Sequence, residues 1–141
     1  MTDMQYRRAT LADLEVLAAF NQQLLQDEGH RHRLTLPELA VRMQGWLQHE
    51  YVAILFEQQT MPVAYALYRQ DLESIYLRQF FVHRQYRRRH IGRHAMHLLL
   101  TEVWRPGRRI TLEVLVHNRS GYAFWQALGF RDYAITMELL P

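Results

Sequence analysis

The order of strand and helix signals along the chain predicts a mixed α/β (α+β) domain, β-α-α-β-β-β-α-β-α-β. Three observations carry that expectation. Two capping-box starts, Thr10-Leu-Ala-Asp13 and Thr35-Leu-Pro-Glu38, each precede apolar residues at helical spacing. Three runs between residues 51 and 83 are rich in β-branched and aromatic residues, as strands are. The third run feeds into an arginine-rich turn, Tyr86-Arg-Arg-Arg-His-Ile-Gly-Arg93, with a further helical stripe behind it.

Taken in order, Gln5, Tyr6 and Arg7 form a short first strand. Leu14, Leu17, Ala18, Leu24 and Leu25 mark the buried face of a first helix, and Leu39, Met43 and Trp46 that of a second. The polar stretch 27–33 between them reads as an exposed loop. Strands follow over 51–55 and 63–68, joined as a hairpin through Glu57-Gln-Gln-Thr60, and a third runs over 74–83. Ala95, Leu98, Leu99 and Val103 share one face of a helix that Trp104-Arg-Pro-Gly107 terminates. Residues 110–116 suit a central strand, Asn118 caps a helix ending at Gly129, and 130–140 suits a last strand.

The chain of 141 residues fits one domain spanning 1–141, with no repeat and no low-complexity segment. No apolar run approaches the ~18 residues of a membrane span, and the first residues lack secretory features, so a cytoplasmic protein is expected. There is no cysteine, which excludes a thiol acyl-enzyme, disulfides and thiolate metal sites. All 17 basic residues are arginine, so a Schiff base and a Walker-type lysine are excluded too. Nine of those arginines lie between Arg78 and Arg109, where Glu102 is the sole acid.

The concentration of charge has a chemical reading. A helix N-terminus offers unpaired N–H groups and the positive end of a dipole, so a turn ahead of it can hold phosphate oxygens. Arg87, Arg88 and Arg89 add charge there, and Gly92 removes a side chain from the first turn, letting a diphosphate approach. Neither a dinucleotide fingerprint nor a P-loop is present.

Arg87-Arg-Arg-His-Ile-Gly92 resembles the Gln/Arg-x-x-Gly-x-Gly/Ala signature of the GNAT superfamily of acetyl-CoA-dependent N-acetyltransferases, with His90 at the first glycine. A second motif, Asn118-Arg-Ser-Gly-Tyr-Ala-Phe-Trp-Gln-Ala-Leu-Gly-Phe130, is similar to the family's Asn-x-x-Ala-x-x-(Leu/Phe)-Tyr-x-x-x-Gly-Phe. The resemblance covers essentially the whole chain. It implies a mostly antiparallel central sheet flanked by helices and acetyl-CoA as the acyl-donor cosubstrate. It further implies backbone contacts to the pantetheine arm from Phe80, Phe81, Val82 and His83. The pyrophosphate would fall to Arg87, Arg88, Arg89, His90, Ile91, Gly92 and Arg93, while Asn118 would touch the pantetheine region.

Without a cysteine, the simplest route is direct attack of a primary amine on the thioester in a ternary complex. By the same resemblance Glu113, five residues before Asn118, is the candidate base; pairing of a strand-end glutamate with an arginine is the other reading. The family's proton-donating tyrosine is replaced by Trp125, an indole that cannot serve as the acid. Tyr122 is the nearest hydroxyl and the candidate acid, or else a packing residue. Ile75-Tyr-Leu-Arg-Gln-Phe-Phe-Val82 is similar to a stretch of diamine acetyltransferases in which two acids stand where Arg78 and Gln79 stand here. Arg78 would repel a polycation, so polyamines are expected to be poor acceptors. An amine bearing a carboxylate or phosphate, on a small molecule or peptide, is expected instead. The same family resemblance implies that the loop with Asp27, Glu28, His30 and His32 rims the acceptor pocket.

His90, His94 and His97 share one side of a helix, but no carboxylate joins them, and no metal is expected. The arginines crowd one turn instead of spreading over a face with aromatic platforms, so no nucleic acid and no membrane partner is expected. A homodimer is expected by analogy with the family. The competing reading is a non-catalytic acyl-CoA sensor, suggested by Trp125.

Overall fold

The computed structural model describes residues 3–31, 33–87 and 89–141. Its elements are β1 (Gln5–Arg8), α1 (Leu14–Glu28), α2 (Leu36–Gln48), β2 (Tyr51–Gln58), β3 (Met61–Gln70), β4 (Ser74–Val82), α3 (Ile91–Leu98), β5 (Arg109–Thr111) and α4 (Arg119–Ala127). A 3-10 turn, Leu11–Asp13, leads into α1. A π turn, Leu99–Val103, extends α3. No helix is long and apolar enough to cross a membrane, among the described residues.

Both expected capping boxes form. Thr10 accepts from the Ala12 N–H, while its own N–H donates to Asp13. Thr35 accepts from the Glu38 N–H, while its own N–H donates to the Glu38 carboxylate. Each box satisfies donors that the first helical turn leaves without partners.

The strands form one sheet in sequential order, β1-β2-β3-β4-β5. The first four run antiparallel, and β5 lies parallel to β4. Alternation along β2 and β3 sends side chains into two cores. Ile54, Phe56, Ala64, Ala66 and Tyr68 meet Ile91, Ala95, Met96 and Leu99 on the α3 side. Ala53, Leu55, Tyr65 and Leu67 meet Leu17, Phe20, Leu24 and Met43 on the α1/α2 side. A sheet with both faces covered explains why its central strands read as apolar throughout.

The alternation breaks in β4. Leu67 of β3 pairs with Gln79 and Tyr68 pairs with Leu77, so Arg78 is left between them as the extra residue of a β-bulge. Before it, Ile75 and Leu77 face α3; after it, Phe81 faces α1. One inserted residue has exchanged the faces of the strand.

Two expected strands differ. The one expected over 110–116 pairs over Arg109–Thr111 alone. The one expected over 130–140 joins no ladder. Beyond Thr111, β5 makes no further pairs with β4 and carries no ladder on its far side, so the last segment joins no strand among the described residues. Its alternating Tyr133, Ile135, Met137 and Leu139 stand 82–98% exposed. Arg31 pairs with Glu138 at 2.8 Å, and the Arg109 guanidinium lies over the Tyr133 ring at 4.3 Å.

The β2–β3 turn is tighter than the sequence suggests, because both strands extend until only Gln59 and Thr60 remain, at φ of 51° and 66°. A two-residue hairpin with both residues left-handed favours Asn-Gly. Replacing Gln59 and Thr60 together by Asn and Gly is expected to raise stability by about 1 kcal/mol, read as a higher midpoint of thermal unfolding. An unchanged or lowered midpoint would count against strain at this turn.

Candidate functional site

Strands β4 and β5 pair at Ser74–Arg109, Ile75–Ile110 and Tyr76–Thr111, and no further. Past that point β4 continues to Val82 with no strand on its β5 side among the described residues, which leaves a wedge between the strands and a length of open backbone edge. Phe80, Phe81 and Val82 lie along it. Phe80 and Val82 face the α3 core, while Phe81 is buried beneath α1. His83 follows, its ring accepting from the Gln85 N–H at 3.2 Å and its own N–H donating to Val63 at 2.8 Å.

The wedge leads to the start of α3. His90 precedes that helix with φ of 60° and ψ of 18° and makes no side-chain cap. This left-handed conformation favours glycine, so the backbone takes the shape for which the family's signature carries glycine, although a histidine occupies the position. The N–H groups of Ile91, Gly92 and Arg93 open the helix, where intrahelical acceptors are lacking.

The expectation for Gly92 changes. A Cβ there would meet the Phe124 ring at 3.1 and 3.2 Å. Its missing side chain therefore lets α3 pack against α4, and the space is not left open for a ligand.

Arg87 is also engaged within the protein. Its Nε donates to the Val82 carbonyl at 2.9 Å, and its terminal nitrogen pairs with Asp27, which also takes Arg84 at 3.0 Å. Arg87 thus ties the end of β4 to the end of α1. Arg89 lies over the Tyr86 ring at 5.7 Å, and Arg93 is exposed on the first turn of α3. Arg88 and His32 lie outside the described residues.

Trp125, at the position of the family's tyrosine, packs against Phe80, Phe124 and Phe130 at centroid distances of 5.5, 4.8 and 5.3 Å. An aromatic cluster holds α4 against β4 here. Asn118 caps α4 by accepting from the Gly121 N–H at 3.1 Å. The Tyr122 hydroxyl donates to Asp132 at 2.7 Å, and that carboxylate raises its pKa.

The α1/α2 side of the wedge gathers polar groups. Tyr76 donates to Glu113 at 2.7 Å; burial first, then this carboxylate, pushes the Tyr76 pKa up to about 12. Arg78, exposed at the bulge, donates to the Tyr51 hydroxyl at 3.3 Å. Tyr65, fully buried, donates to Gln79 at 2.8 Å. Glu28 sits half-buried at the C-terminal end of α1, 3.0 Å from the His30 ring. Desolvation is the chief cause of its raised pKa, against the lowering effect of His30. His117 bonds the Glu28 carbonyl at 2.8 Å, joining the end of α1 to the segment after β5. No group of three potential metal ligands occurs among the described residues.

Residues 16–130 match the acetyltransferase (GNAT) family. This chain belongs to that family. The resemblance read from the sequence is thereby borne out, as is the expectation of an acetyltransferase, and solved structures agree on the fold.

A mutant of the BH1408 protein from Bacillus halodurans is 24% identical with a TM-score of 0.79, the match covering 97% of this chain and 99% of that one. A predicted acetyltransferase from Clostridium acetobutylicum, solved with acetyl-CoA, is 20% identical with a TM-score of 0.74, covering 98% and 96%. An aminoglycoside N-acetyltransferase solved with CoA is 15% identical with a TM-score of 0.77, covering 100% and 96%. No curated protein matches the sequence significantly.

Sequence reasoning missed the polar environment formed by Asn21, Arg42, Tyr51, Tyr65 and Tyr76 around Arg78. The one signal available was a polar Asn21 within an apolar helical stripe, which a satisfied buried amide would explain as well.

Glu28 gives a pH prediction. Its carboxyl binds its proton more tightly in the folded protein than at the ordinary 4.5, so it costs no stability below that pH and costs progressively more as pH rises through the folded value. Glu28→Gln is expected to raise the unfolding midpoint at pH 7 and to leave it unchanged near pH 4. Equal midpoints at pH 7, measured by circular dichroism, would refute the burial argument.

Proposed function

We propose that the protein transfers an acetyl group from acetyl-CoA directly to a primary amine of a small molecule or peptide, with Glu113 as the base. The observation that carries this reading is the wedge between β4 and β5, which opens onto the bare start of α3. The open edge of β4 offers backbone groups to a pantetheine chain, and the N–H groups of residues 91–93 suit a pyrophosphate. Neighbours solved with CoA and acetyl-CoA support the choice of donor. Arg87 acts mainly as a strut between β4 and α1, leaving Arg89 and Arg93 to supply charge at the turn.

In the proposed reaction the acceptor arrives as an ammonium ion and gives a proton to Glu113, directly or through water. Its nitrogen then forms a bond to the acetyl carbon, the carbon–sulfur bond breaks, and the thiolate leaves with the electron pair. The nitrogen, now bonded to the acetyl carbon, gives its second proton to water to leave the neutral amide. Tyr76 holds the Glu113 carboxylate in place. The Tyr122 hydrogen is directed at Asp132, so protonation of the thiolate is assigned to water; its acid resembles a thiol of pKa about 8.5 and needs little assistance.

Glu113→Gln is expected to lower kcat about 10²- to 10⁴-fold while acetyl-CoA binds as before, measured by thiol release across amines, amino acids and N-terminal peptides and by calorimetry. A variant as fast as the parent removes Glu113 from the chemistry. Acetyl-CoA binding without thiol release for any acceptor would instead favour a sensor.

Two copies are further proposed to pair through residues 130–141. The sheet ends in an uncovered edge at β5, and this segment carries strand-like alternation with its apolar side chains in solvent. The segment of a second copy complements that edge. Sedimentation is expected to give a dimer for the full chain and a monomer for a chain ending at residue 131. A monomeric full chain would overturn the pairing.

A further inference from the structure

Three arginines from three elements converge beside the wedge: Arg42 of α2, Arg69 near the end of β3 and Arg78 at the β4 bulge. Arg42 and Arg78 lie over the Trp46 ring, 4.6 and 4.7 Å from its centroid. Arg69 lies over Tyr76 at 4.9 Å. Arg69 and Arg78 both donate to the single Tyr51 hydroxyl, at 3.0 and 3.3 Å. Like charges are thus held together on a floor of aromatic rings.

Little in the chain compensates them. Arg69 has Glu50 at 3.9 Å. Among the described residues, neither Arg42 nor Arg78 has a carboxylate within ion-pair distance. Burial and then the charge of Arg78 lower the Arg42 pKa, the direction expected of a crowded, partly desolvated cation.

Hydrogen bonding tells the same story from a separate observation. Arg42 donates one terminal nitrogen to Asn21 Oδ1 at 3.1 Å, which fixes the guanidinium. Its Nε is buried with no partner among the described residues. The Asn21 amide that holds it lies against the Tyr65 hydroxyl. A buried donor without an acceptor is costly, as are guanidiniums without counter-charge, and an anion relieves both costs at once. A neutral carbonyl would relieve only the first, and a cation neither.

We propose that Arg42 and Arg78, floored by Trp46 and positioned by Asn21 and the β4 bulge, form a pocket for a carboxylate or phosphate carried by the acceptor. The inference rests on the acetyl-transfer reading and narrows it to amines that carry an anionic group. Glu113 is bonded to Tyr76, the ring over which Arg69 lies, so an acceptor of this kind places its ammonium toward that carboxylate and its anion toward the guanidiniums. A polycationic amine finds the wrong sign at the arginine end.

The test uses matched acceptors: dipeptides with a free C-terminus against their C-terminal amides, and phosphoethanolamine against ethanolamine. Thiol release from acetyl-CoA and calorimetric binding in the presence of CoA are both read. The anionic member of at least one pair is expected to have a kcat/KM larger by about 10- to 100-fold, and which pair shows it distinguishes carboxylate from phosphate. Arg78→Gln and Arg42→Gln should each abolish most of that preference through KM while CoA still binds, with Arg78→Lys restoring part of it. Arg78 is exposed, so its substitution tests the pocket even if the Arg42 variant fails to fold.

Equal use of charged and uncharged partners would overturn the pocket and leave acetyl transfer standing. Binding of the anionic member, lost in Arg78→Gln but without thiol release, would uphold the pocket and refute the transfer. Failure of every pair both to bind and to react would overturn the pocket.

Discussion

Strand β4 carries one residue more than β3 can pair, and the arrangement of the site follows from that mismatch. The bulge at Arg78 turns Arg78 and Gln79, neighbours in sequence, toward the same α1/α2 face. A regular strand would have sent one of them into the opposite core. Bulges also bend and twist the strand that bears them. Here the pairing with β5 ends at Tyr76, just before the bulge, and the wedge opens from there. One inserted residue therefore coincides with both the gap suited to the donor and the polar face suited to the acceptor.

The wedge persists because its walls are fastened elsewhere. Asp27 at the end of α1 takes both Arg84 and Arg87, and Arg87 reaches on to the Val82 carbonyl. On the other wall, Phe124 fills the space above Gly92, and Trp125 packs against Phe80. These contacts connect α1 and α4 to the strand end between them. They also show why chemically suggestive residues have structural duties: Arg87 is a cross-brace, Gly92 a packing notch and Asn118 a helix cap.

Charge separates the two halves of the site. Backbone N–H groups and exposed arginines at the α3 start suit a diphosphate, whereas the opposite side holds Glu28, Glu113, and an arginine group with few counter-charges. Desolvation keeps the Glu28 carboxyl hard to ionise, and Tyr76 anchors the one on Glu113. An acceptor with both signs of charge would complement that surface more fully than one with positive charge alone.

Local sequence determined the helices, the two capping boxes and the strand-rich centre, because each depends on neighbours within a few residues. The family itself was legible in the segments 87–92 and 118–130, even with His90 and Trp125 in unexpected places. Long-range pairing decided the rest. That Arg78 falls in a bulge depends on the register between β3 and β4, which β4 alone does not reveal. Residues 130–141 have the alternation of a strand, yet a strand exists only beside a partner, and this chain leaves its β5 edge uncovered. The meeting of Arg42, Arg69 and Arg78 needed three elements brought together by packing; in the sequence they stand 27 and 9 residues apart.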